Sequence, residues 1–326
     1  MTLSILLVKE TRAGEQRVAL IPADVATLVQ AGHIVHVEAT AGAAAGFADA
    51  AYVQAGATLR TLKDETLATY QALFADINLI VRAKRPNRNR EILENQAIPE
   101  GISMIGALDP FEKNSTHMQE YQHKKLKTHS LDQLPLEVSN PMNLLAAMSK
   151  IAGKLAIQDA LKHITYPAKT AVIIGFGVVG RAALEEAIHQ GLSCSVFVTN
   201  AGQLQEIEQL GARALLLDKH AALATQQAQI KALAQTADIV LTSARRANQP
   251  APLLIPSDTL NQMKPGAVIV DMALSEGGNV EGAHHDQTLV LGNQVIVTNV
   301  SGYPKKMPHQ ASILWSQATR LFIETL

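Results

Sequence analysis

The sequence predicts an α/β protein made of two doubly wound parallel-sheet domains joined by long helices. Three observations carry this prediction. Short apolar runs alternate with stretches of helical period in both halves of the chain. Its 326 residues exceed the ~100–200 of a single ordinary domain. Hydrophobic residues make up 47% of the chain but aromatics only 4%, so its cores are built from Ala, Val, Leu and Ile, which suits helices packed on parallel sheets.

The elements follow in order. Leu3–Val8 reads as a strand, and Pro22–Ala31 as a helix with Val25, Leu28 and Val29 at helical spacing and a stop at Gly32. Ile34–Glu38 is a second strand, Asp49–Ala55 a helix ending at Gly56, Ile77–Arg82 a third strand and Ile102–Leu108 a fourth. Ala41–Ala45, flanked by glycine, reads as a tight loop. Asn143–His163 has apolar residues at helical period and no proline, so it reads as one helix long enough to run from one domain into the next.

A second alternating block begins at Ala171. Strands are expected at Ala171–Ile174, Ser195–Thr199, Ala214–Leu217, Ile239–Thr242, Val268–Asp271 and Val295–Thr298, with helices at Val178–His189, Leu204–Gln209 and Ala221–Ala234. The amphipathic tail from His309 to Thr325 reads as a helix that returns to the first domain. The expected division is therefore 1–140 plus 305–326 for a discontinuous N-terminal domain, and 141–304 for the second.

Composition excludes several classes. Lys+Arg 28 against Asp+Glu 29 gives a net charge of −1, so no bulk attraction to nucleic acid or anionic lipid is expected. The basic run His123–Lys127 reads as a solvated helix face. One cysteine, Cys194, excludes an intrachain disulfide and a cysteine zinc site; its apolar surroundings make it a buried strand residue. Adjacent His284 and His285 would diverge on an extended chain and are read as a solvated loop, so no metal is expected. No apolar run reaches ~18 residues, and the expected location is the cytoplasm.

Gly175-Phe176-Gly177-Val178-Val179-Gly180 is the most informative segment. A G-x-G-x-x-G pattern alone is weak, but here it follows the expected strand Ala171–Ile174 and opens the helix Val178–His189. In that setting Gly175 permits the tight turn, Gly177 admits a pyrophosphate to the backbone, and Gly180 lets helix and strand pack closely, while the helix N-terminus donates N–H groups to phosphate. These features describe a Rossmann-like domain binding a nicotinamide dinucleotide. The acidic residue expected about 20 positions on is absent, because the second strand runs out through Val198-Thr199-Asn200. The sequence leaves NAD and NADP open, with Thr199 and Asn200 placed to hydrogen-bond the ribose or its phosphate. Arg245 and Arg246 follow the fourth strand of this domain, and Asp271 ends another strand where cofactor clefts open.

Several segments resemble the alanine dehydrogenase / NAD(P) transhydrogenase α-subunit superfamily. They are Lys9-Glu10-Thr11, Gly14 to Pro22 with Arg17 in Gln16-Arg17-Val18-Ala19, Met148 to Gly153, the glycine turn, Met263 to Asp271, and Gly277-Gly278-Asn279 with Glu281. The pattern is most similar to the soluble NAD-binding part of the transhydrogenase α subunit, through Arg85-Pro86, Gly106-Ala107-Leu108 and Pro304 followed by Met307-Pro308. That resemblance implies hydride transfer between NAD(H) and NADP(H), assembly as an oligomer, and separate membrane and NADP-binding subunits that would hold the chain at the membrane periphery.

Within the same superfamily, alanine dehydrogenases hold a keto acid with an arginine and a lysine, which map to Arg17 and Lys84. Their proton-transfer histidine falls within Ser103–Leu108, which has none, and their aspartate falls on Ser275. The transhydrogenase Arg/Gln/Asp loop maps onto Pro135, Asn140 and Asn143, which differ from it. Two alternatives therefore stand beside the transhydrogenase reading. One is an alanine dehydrogenase-like or opine-type dehydrogenase acting on an amino or keto acid, with Arg17 and Lys84 clamping its carboxylate. The other is a non-catalytic dinucleotide-binding paralogue.

Overall fold

The computed structural model describes residues 2–112, 115–246 and 249–326. The chain divides into two compact units, one comprising residues up to Met148 with Lys305–Leu326, the other Ser149–Pro304. The division falls inside the long helix Leu144–His163.

The first unit contains β1 (Ser4–Leu7), α1 (Pro22–Gln30), β2 (Ile34–Glu38), α2 (Asp49–Gln54), β3 (Thr58–Arg60), α3 (Leu67–Leu73), β4 (Leu79–Lys84), α4 (Arg88–Ala97), β5 (Ser103–Ala107), α5 (His117–His123) and β6 (Lys127–Ser130). Its six strands are ordered β3-β2-β1-β4-β5-β6 and all pair in parallel. Alternate residues feed opposite faces: Ile5, Leu7, Leu79 and Val81 enter one core cluster, Leu6, Val8, Ile80 and Met104 the other. A sheet covered on both faces needs continuous apolar strands, which is why these runs stand out in the sequence.

α6 (Leu144–His163) leads into the second unit. Its elements are β7 (Thr170–Ile174), α7 (Val178–His189), β8 (Ser193–Val198), α8 (Leu204–Gln209), β9 (Arg213–Leu216), α9 (Leu223–Ala234), β10 (Ile239–Thr242), α10 (Ser257–Asn261), β11 (Val268–Asp271), β12 (Thr288–Val290) and β13 (Ile296–Thr298). The order is β12-β13-β11-β10-β7-β8-β9, parallel except that edge strand β12 runs antiparallel to β13. Cys194 is buried on β8 as expected. A side chain at Gly153 would bring its Cβ within 2.2 Å of the Val179 carbonyl, so this glycine lets α6 close onto α7.

The tail forms α11 (Pro308–Ile323) and is stitched to the β1–α1 loop. Ser312 and Ser316 Oγ accept the Val18 and Ile21 backbone N–H groups at 2.9 and 2.8 Å, and Arg320 pairs with Asp24 at 2.7 Å.

Two local expectations are corrected. Ala43–Ala45 is a turn of 3-10 helix rather than an irregular loop. The basic run is not one helix face: α5 ends at His123, Lys125 takes a φ of 56°, Leu126 is buried and Lys127 opens β6. Further elements, β3, α4, α5, α10 and β12 among them, arise where no periodic apolar pattern marks them.

Candidate functional site

In an open α/β sheet, ligands bind beyond the carboxyl ends of the strands at the point where strand order reverses. In the second unit that point lies between β7 and β10. A cavity of about 600 Å³ opens there, lined among others by Gly175, Phe176, Gly177, Val198, Thr199 and Ser243.

The three glycines of the turn have separable roles. Gly175 has φ +99°, and a Cβ there would press on the Ser243–Ala244 backbone at 3.1 Å. At Gly180 a Cβ would lie 2.0 Å from the Gly175 carbonyl oxygen, so this residue sets the strand–helix approach. Gly177 is different: among the described residues nothing lies within 4 Å of where its Cβ would be, and its φ of −81° suits any residue. Its missing side chain therefore answers no internal packing need. It leaves clear the space in front of the α7 N-terminus, where N–H donors favour an anion. These residues fit a bound pyrophosphate.

Of the remaining residues expected at the cofactor, Thr199 lines the cavity, whereas Val178, Val179, Gly180, Asn200 and Asp271 do not. Val178 and Val179 are the first helical residues, and Asn200 Oδ1 accepts the Gly202 N–H at 3.0 Å to cap its own turn. Asp271 is fully enclosed. Its oxygens accept N–H from Ala273, Asn279 and Val280 at 2.8–3.0 Å. Asn279, also enclosed, donates to the Ala244 and Pro252 carbonyls and accepts the Ala244 N–H. Because Ala244 and Pro252 line the cavity, Asp271 shapes the site through Asn279 rather than by facing a ligand.

The cavity also gathers residues that no sequence motif marks: Gln203, whose amide donates to the Phe176 carbonyl at 2.9 Å, and Lys219, in the loop beyond β9. Arg245 and Arg246 line it as well, Arg245 pairing with Glu276 at 3.0 Å.

The first unit has its own switch point between β1 and β4, and both remaining candidates flank it. Arg17, in the β1–α1 loop, is buried. It pairs with both oxygens of Glu15 at 2.6 Å, and its guanidinium lies 4.7 Å from the Trp315 ring centre. Lys84 ends β4 and pairs with Asp109 at 3.3 Å, a carboxylate also held by Arg12. Glu10 ties the two strand ends together by accepting the Ala83 and Lys84 N–H groups at 2.6 and 3.0 Å. Burial raises its carboxyl from 4.5 to about 7. Beneath lies an ionic ladder in which Arg82 pairs with Glu94, Glu94 with Arg90 and Arg90 with Glu38 at 2.5–2.6 Å, all four nearly inaccessible.

In Ser103–Leu108, where the resemblance would put the histidine of alanine dehydrogenases, Met104 is fully buried on β5, and Ser275, where it would put their aspartate, lies in a 3-10 turn. In the loop before α6, Asn140 Oδ1 accepts the Met142 N–H at 2.9 Å. Asn143 Oδ1 accepts the Ala146 N–H at 2.8 Å and its amide donates to the Leu136 carbonyl, so both work as turn and helix caps.

Two doubly wound sheets, one bearing a glycine-turn cavity at its switch point, define a dinucleotide-fold protein. The chain belongs to the alanine dehydrogenase/PNT family: residues 6–152 match its N-terminal domain and residues 149–326 its C-terminal domain. It is 29% identical to the NAD(P) transhydrogenase subunit alpha of Cereibacter sphaeroides, over 98% of this chain and 64% of that one. It is 26% identical to alanine dehydrogenase 2 of Staphylococcus aureus, over 95% of this chain and 84% of that one. Among solved structures, a transhydrogenase from Sinorhizobium meliloti superposes with a TM-score of 0.84 at 26% identity, covering 98% and 93% of the two chains. An L-alanine dehydrogenase superposes with a TM-score of 0.85 at 26% identity, covering 98% and 89%. The chain thus spans under two thirds of the transhydrogenase α subunit from Cereibacter sphaeroides. Among the described residues no helix is long and apolar enough to cross a membrane.

Proposed function

We propose that the chain is the dinucleotide-binding component of a transhydrogenase-type oxidoreductase. A nicotinamide dinucleotide held here exchanges hydride with a second one held on a partner subunit. The observation that carries the reading is Gly177, whose absent side chain keeps open the cavity mouth at the α7 N-terminus. The dinucleotide, when bound, supplies or accepts the hydride. The chain's own residues bind and orient it: N–H groups of the α7 N-terminus at the pyrophosphate, Thr199 near the ribose, and Asp271 fixing the opposite wall through Asn279.

Transfer between two nicotinamides needs no proton donor or acceptor for a substrate. The lack of a histidine within Ser103–Leu108 and the presence of Ser275 in place of an aspartate are consistent with that, as is the prior engagement of Arg17 and Lys84 by Glu15 and Asp109. The partners that suit this role are separate membrane and dinucleotide-binding subunits, which would place the chain at the membrane periphery as an oligomer.

Purified protein mixed with NADH or NADPH, pyruvate and ammonia should oxidise no cofactor. Hydride transfer to an acetylpyridine dinucleotide analogue should appear once the partner subunits are added. Turnover of pyruvate by the chain alone would instead support the dehydrogenase reading, which the placement of Arg17 and Lys84 at one switch point favours.

A further inference from the structure

The charges around the cavity are one-sided. Among the described residues, Lys219, Arg245 and Arg246 line it and no carboxylate does. Arg245 is neutralised by Glu276 at 3.0 Å, but among the described residues neither Lys219 nor Arg246 has a carboxylate partner. The nearest acidic residue in sequence, Asp218, turns its Oδ1 to the His220 N–H at 2.8 Å and does not line the cavity. At the end of β8, where a carboxylate would bridge the ribose hydroxyls and repel a phosphate there, stand Val198 and Thr199. A neutral strand end with unpaired cations close by is the arrangement that accommodates a ribose 2′-phosphate, which carries about −1.5 to −2 charges at neutral pH.

We propose that this cavity selects a 2′-phosphorylated dinucleotide, NADP(H), and that Lys219 and Arg246 hold the 2′-phosphate. The inference rests on reading the cavity as a dinucleotide site. It reverses the assignment implied by the family resemblance, in which this chain holds NAD(H). Both side chains are exposed, so neutralising them leaves the fold intact.

The test is titration of the purified full chain with NADPH and NADH, and with adenosine 2′,5′-bisphosphate and 5′-AMP as adenosine-side probes, by calorimetry. NADPH should bind at least tenfold tighter than NADH, and the bisphosphate tighter than 5′-AMP. In the double variant Lys219→Gln/Arg246→Gln, NADPH affinity should fall about tenfold or more, as expected for loss of charge-assisted contacts, with NADH affinity within twofold of the parent. NADH binding as tightly as NADPH, or a double variant that weakens both alike, would overturn the 2′-phosphate site and leave the dinucleotide reading standing. Binding of neither dinucleotide by the parent protein would overturn both.

Discussion

Glu10 shows how a single residue couples chemistry to stability in the first unit. Its carboxyl accepts two backbone N–H groups from the end of β4, yet burial holds it protonated up to about pH 7. The folded chain therefore binds more protons than the unfolded chain between about pH 4.5 and 7. Its contribution is greatest below the unfolded value and is lost as pH rises through the folded one, a change of about 3 kcal/mol at ~1.4 kcal/mol per pH unit. Burial depresses His36 and His129, which gives the opposite slope, so the informative quantity is a difference. The stability of the parent minus that of Glu10→Gln, from denaturant melts, should fall between pH 5 and 8; a constant difference would remove Glu10 from the account. Glu94 behaves in the opposite sense. Burial raises its carboxyl, but Arg82 and Arg90 more than offset this and lower it, so its contribution is present above ~4.5 and is lost only in acid. Glu94→Ala should cost about 3–5 kcal/mol by stranding two buried guanidiniums, measured as a reduced denaturant midpoint at neutral pH.

At the scale of elements, legibility followed apolar periodicity. Val178–His189, Ile239–Thr242 and Val268–Asp271 appear with the bounds read from the sequence, because the helix carries its apolar residues at helical period and each strand is an apolar run ending in a polar residue. α4 was not legible: its buried face is Arg90, Glu91 and Glu94, and charges that pair internally carry no apolar signature. β3 is three residues long, too short to show a period. The glycine turn was legible because its spacing reports backbone geometry. Lys219 was not, since its place on the same cavity as Thr199 follows from the pairing of β8 with β9, a long-range contact. The glycine roles make a prediction at this scale. Gly180→Ala places a Cβ 2.0 Å from the Gly175 carbonyl and should destabilise the chain by at least the 1–3 kcal/mol typical of overpacking, roughly. A thermal midpoint unchanged from the parent would show that β7 and α7 separate more freely than the structure implies.

For the whole molecule, each unit is wound about its own switch point and each switch point carries a distinct set of groups. The first gathers Arg17, Lys84 and Glu10; the second gathers the glycine turn and three cations. Two-domain organisation and the return of the tail could be read from alternation and from the amphipathic C-terminus. The internal pairing of Arg17 with Glu15 could not, because a neighbouring glutamate in sequence does not reveal which way either side chain turns. The central claim is that the second unit's cavity takes the pyrophosphate of a dinucleotide at Gly177, and the variant Gly177→Val isolates it. The backbone there accepts any residue and nothing within 4 Å opposes a Cβ, so the fold should be preserved while the cavity mouth is filled. Calorimetric titration of this variant should show dinucleotide affinity lost by at least a hundredfold with the thermal midpoint of the ligand-free protein unchanged. Affinity equal to that of the parent would contradict the account.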